Sequence, residues 1–112
     1  MEEDSLGSTK IAPTVLNTIA RLTTLATPGV SRMAPISAAS SKYANKTEEE
    51  GVKILVKDSL IYVDVYVIIN SEENVRLVAE AIQQRVNRAI SEMVGMEVAS
   101  VNVHITDLDI EA

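Results

Sequence analysis

The sequence predicts an α+β domain, with a small mixed or antiparallel sheet of three to four strands and two helices packed on one face. Three observations predict it. The stretch LIYVDVYVII over 60–69 places Ile61, Val63, Val65, Val67 and Ile69 on one side of a strand and the mixed series Leu60, Tyr62, Asp64, Tyr66, Ile68 on the other, so one face is buried and the other partly wet. Directly after it, Val75, Val78, Ala79, Ile82, Val86, Ala89, Ile90 and Met93 recur at three- and four-residue steps, the mark of one apolar helix stripe. Beyond Gly95 a second strand is expected over 98–105, whose alternation puts Val101, Val103 and Ile105 on one face and Ser100, Asn102, His104 and Thr106 on the other. Two strands with one wet face each leave helices a single side of the sheet to cover.

In chain order, an acidic, flexible tail is expected over 1–8, a single domain over 9–108 and a second acidic tail over 109–112. Lys10 and Ile11 are expected to form a short strand or an extended lead-in. The first helix starts at Pro13, whose fixed φ suits the first helical position. Its stripe reads Val15, Leu16, Ile19, Ala20, Thr23 and Ala26, and Pro28-Gly29 end it. A short strand is expected over 30–34. The segment 35–50 is rich in Ser, Ala and charge and closes on three glutamates, so a surface loop is expected there. Val52, Ile54 and Val56 alternate toward a turn at 57–59, which makes a hairpin with 60–69. The long helix should begin at Asn70, with Glu73 three residues on as in a capping box, and stop at Gly95.

Composition narrows the function classes. There is no cysteine, which excludes disulfides, thiolate catalysis and cysteine-based metal sites. No apolar run reaches the roughly 18 to 20 residues that a membrane span needs, and the start MEEDS is unlike the basic region of a signal peptide. The expected location is the cytoplasm, peripheral to the membrane only through a partner. Nucleic-acid modules carry a basic footprint and often stacking aromatics; here the net charge is −6 and the ten Lys and Arg residues are scattered, so no nucleic-acid partner is expected.

No catalytic constellation is legible. His104 is the only histidine, and no HExxH, nucleophile elbow or Gly-rich phosphate loop accompanies it. Asp107, Asp109 and Glu111 lack the oxygen spacing and turn glycine of a calcium loop, and the glutamates at 48–50 lack the apolar setting of a catalytic carboxylate pair. No enzyme activity, cofactor or metal is expected. The more informative surface is Tyr62, Asp64 and Tyr66, joined by Asn102 and His104 if the two alternating strands are neighbours. Tyrosines with a polar rim suit a protein interface; an ordinary half-exposed sheet face has the same composition. A sheet this small also has edges, which invite partner strands.

Several of these residues carry a resemblance. Gly29-Val30 with Met33, Gly51-Val52-Lys53, and the series Ile82-Gln83, Val86, Ile90, Met93, Gly95, Val98 and Val101-Asn102-Val103 within AIQQRVNRAISEMVGMEVASVNVHI resemble the alkaline shock protein family of bacterial envelope stress response proteins. The likeness covers 7–108. It implies a small acidic, non-catalytic cytoplasmic protein of Gram-positive and related bacteria that associates with itself. It further implies binding to a small membrane-anchoring protein, with a role in cell-envelope homeostasis or, alternatively, in control of a metabolic enzyme of fatty-acid synthesis.

Overall fold

The computed structural model describes residues 11–36 and 51–110. The tail expected over 1–8, most of the loop expected over 35–50 and Glu111 lie outside the described residues. Six elements follow one another: α1 (Pro13–Leu25), β1 (Val30–Met33), β2 (Val52–Lys57), β3 (Leu60–Asn70), α2 (Val75–Val94) and β4 (Glu97–Asp109).

β3 is the centre of the sheet because it alone is apolar enough to be flanked on both edges. β4 lies parallel to it along one edge, from Leu60↔Glu97 to Asn70↔Asp109. The other edge is shared end to end. β2 pairs antiparallel from Lys57↔Leu60 to Val52↔Val65, and β1 antiparallel from Met33↔Val67 to Val30↔Ile69. The sheet is therefore mixed and four-stranded, and both helices cover the same face. Ile61, Val63, Val65, Val67 and Ile69 pack there against Leu16 and Ala20 of α1, Val78, Ile82, Val86 and Ile90 of α2, and Val98 and Val101 of β4. The aliphatic alternation read from the sequence is this core.

Two turns set the register of the β2 edge. Asp58 and Ser59 both have positive φ, 53° and 67°, as in the type I′ hairpin turn that matches strand twist; a short polar side chain tolerates that conformation. At the junction of β1 and β2, the Ala34 N–H donates to Tyr66 O at 2.8 Å and Gly51 sits with φ 79° against the same carbonyl.

The structure departs from the sequence expectations at four places. The long helix starts at Val75, not after Asn70. Asn70 is held in β3 by its N–H to Gly29 O, and Asn74 is the cap, accepting the Leu77 N–H at 3.1 Å. Replacing Asn74 by Ala should cost about 1 kcal/mol, a fall of about 5 °C in Tm, read by thermal denaturation. Met93 belongs to the periodic stripe yet is 69% exposed, because it opens onto an apolar groove shared with Val56, Val94 and Met96. On α1 the buried side is Leu16, Asn17, Ala20 and Thr24, so Val15 and Ala26 face out. The two polar members bond to backbone, Asn17 to Val52 O and Thr24 to Ala20 O. Finally, β4 continues to Asp109, beyond the expected end at Ile105, because a bulge at Thr106 between Ile105↔Val67 and Asp107↔Ile68 changes its phase.

Candidate functional site

The sheet face away from the helices is the open face, and strand alternation determines what it displays. From β3 it takes Leu60, Tyr62, Asp64, Tyr66 and Ile68. Pairing places Lys57, Leu55 and Lys53 of β2 opposite Leu60, Tyr62 and Asp64, and Ser100, Asn102 and His104 of β4 opposite Tyr62, Asp64 and Tyr66. All five expected site residues, Tyr62, Asp64, Tyr66, Asn102 and His104, come together on this surface.

Asp64 is its hub. Its Oδ1 lies 2.9 Å from His104 Nε2 and accepts from Asn102 Nδ2 at 3.3 Å. The pair is half-wet, with side chains 28% and 42% exposed, so its attraction is worth little to stability. Its effect is positional. The imidazole is held so that it stacks on Tyr66, ring centroids 4.4 Å apart and planes 11° from parallel. Two rings and an amide are thereby fixed before any partner arrives, which lowers the entropy lost on contact.

Further residues complete the surface without a signal in simple periodicity. Arg32 Nη1 reaches across β3 to Asp109 Oδ2 at 3.3 Å, and Ser31 Oγ donates to the same oxygen. This strap joins β1 to β4 at the end of β3 where Ile68 is 8% exposed on an otherwise open face. Only the bulge phase of β4 could have revealed it. Leu55, 55% exposed, and the two lysines follow from the hairpin register, which a two-residue turn at 58–59 already dictates.

On the helix side, Ile11, Pro13, Leu16, Val56, Met93, Val94 and Met96 line an apolar groove of about 550 Å³. Among the described residues no group of three or more His, Asp or Glu is placed to hold a metal ion, and no helix is long and apolar enough to cross a membrane.

Known proteins resemble this chain in sequence and in fold. The model of the alkaline shock protein 23 family, described as having a cell envelope-related function, matches residues 1–110. The uncharacterized protein YqhY of Bacillus subtilis (strain 168) is 25% identical over 112 residues, covering 98% of this chain and 83% of that protein. Among solved structures, MamM CTD 215–293 aligns with a TM-score of 0.53 at 14% identity, over 86% of this chain and 99% of that one. A variant MamM CTD in its copper form aligns with a TM-score of 0.54 at 13% identity, over 88% and 100% of the two chains. At these identities the two structures share the fold with this chain.

Proposed function

The chain belongs to the alkaline shock protein 23 family, whose function is cell envelope-related, and from that membership we propose a non-enzymatic domain that holds proteins together in envelope stress or envelope homeostasis. In this reading it associates with itself and binds a membrane-anchoring protein. It works in the cytoplasm and reaches the membrane through that partner. The observation that supports it most directly is the open face, where Asp64 orients His104 against Tyr66 and Leu55 and Tyr62 add apolar surface beside them. Preorganised aromatic side chains within a polar rim are the composition of interface centres.

Two measurements test it. Tyr66→Ala should weaken association with the captured partner by about tenfold or more while Tm falls by less than about 5 °C. Lost stability with unchanged association per folded molecule would make Tyr66 a packing residue. Quantitative pull-down of tagged protein from detergent-solubilised membranes should enrich a small membrane protein together with more of this chain. Enrichment of a soluble metabolic enzyme, with the membrane fraction empty, would move the assignment to a cytosolic regulator.

A further inference from the structure

The charges on the open face are arranged in rows. Across the three strands they read Lys57, Leu60, Glu97 at one end and Arg32, Ile68, Asp107 at the other, with Lys53, Asp64, Asn102 between. Both lysines lie on the β2 edge and both end carboxylates on the β4 edge, while Arg32 starts from β1 and carries its guanidinium across β3 to Asp109. Lys53, Lys57 and Glu97 have no ion-pair partner among the described residues.

Such a face is complementary to itself under one rotation only. A two-fold axis lying in the contact plane and parallel to β3 keeps each row at its own height and exchanges the two edges. Lys57 of one copy then lies over Glu97 of the second copy, beside Tyr62 and Leu55, and this unpaired couple carries the complementarity; Arg32 is already engaged by Asp109 of its own chain. The alternative two-fold, across the strands, sets Glu97 on Asp107, like on like, and leaves Lys57 without an opposing carboxylate. Aligned sheets facing one another at about −30° are a standard packing, and an isologous contact of this kind closes as a dimer.

Resting on the association reading above, we propose that the open face is the surface by which two copies of this chain pair, sheet against sheet, about an axis along β3. The contact is small. Eleven residues of β3 at about 3.3 Å each, by three strands at about 4.8 Å, give about 500 Å² per copy, against about 800 Å² for a standard stable interface. The dimer is therefore weak and concentration-dependent, suited to forming where the chain is gathered by a common partner.

Sedimentation equilibrium of the full chain, from about 10 μM to about 1 mM, covers the affinity expected of so small a contact. Wild type should dimerise in this range. K57E and E97K, both at exposed positions, should each weaken the dimer by about tenfold or more, because each turns two attractive contacts per dimer into repulsive ones. An equimolar mixture of K57E and E97K should recover association, since each variant then offers the charge that the other lacks. A wild type that stays monomeric at about 1 mM overturns the pairing and leaves the pull-down to decide the wider reading. A dimer indifferent to both substitutions, or a mixture that does not recover, places self-association on another surface and also overturns it.

Discussion

Gly51→Ala should destabilise this domain far more than Gly95→Ala, although both glycines have positive φ. A Cβ built at Gly51 would lie 2.5 Å from Ala34 O and 2.8 Å from Tyr66 O. Both are backbone atoms, and Tyr66 O already accepts the Ala34 N–H, so relieving the clash means moving the backbone at the junction where β1 leaves the sheet. Added to the strain of φ 79°, the expected cost is about 3 kcal/mol or more, a Tm fall of at least about 12 °C. Gly95 is the internal control. Its φ is 70°, but nothing lies within 4 Å of an added Cβ, so Gly95→Ala should cost only about 1 kcal/mol. Equal losses by chemical denaturation for the two variants would show that the crowding at Gly51 is relieved by a small shift of the β1–β2 junction.

Ile82→Ala is the second large effect. Ile82 is wholly buried at the middle of α2, where the helix meets β3 and β4. Removing most of its side chain should cost about 3 to 4 kcal/mol, and Ile82→Val about 1 kcal/mol. Since domains of this size hold only about 5 to 15 kcal/mol in reserve, the alanine variant should fall by about 15 °C in Tm. Met93→Ala, on the same periodic stripe but exposed, should stay within about 0.5 kcal/mol. A Met93→Ala loss approaching that of Ile82→Ala would mean that Met93 closes the apolar groove against the lead-in at Ile11 in solution.

That contrast also separates what could be read from the residues from what could not. β3 was legible because a central strand with one buried face keeps strict alternation for its whole length, and the aliphatic odd positions leave no other phase. The interior of α2 and its stop at Gly95 were legible for the same local reason. The start of α2 was not. Asn70 carries the stronger local signal, with Glu73 three residues on, yet the start falls to Asn74 because pairing with Gly29 and Asp109 extends β3 through Asn70. The end of β4 was hidden by its bulge at Thr106, which reverses inward and outward positions. The five residues of the open face were found as two separate alternating series. Their meeting on neighbouring strands depends on β4 lying parallel to β3, and the Arg32 strap depends on a pairing of residues far apart in the chain.

The shared edge of β3 has a consequence for insertions. The chain leaves the sheet at Ala34 and re-enters at Gly51, two positions that meet at the same carbonyl. Whatever lies between them begins and ends at one point, so its length imposes no register on β1 or β2. Doubling the intervening segment would raise the closure cost by only about 0.6 kcal/mol. The junction thus uncouples strand order, core and open face from the length of chain between its two ends, so peptide inserted there should leave all three intact.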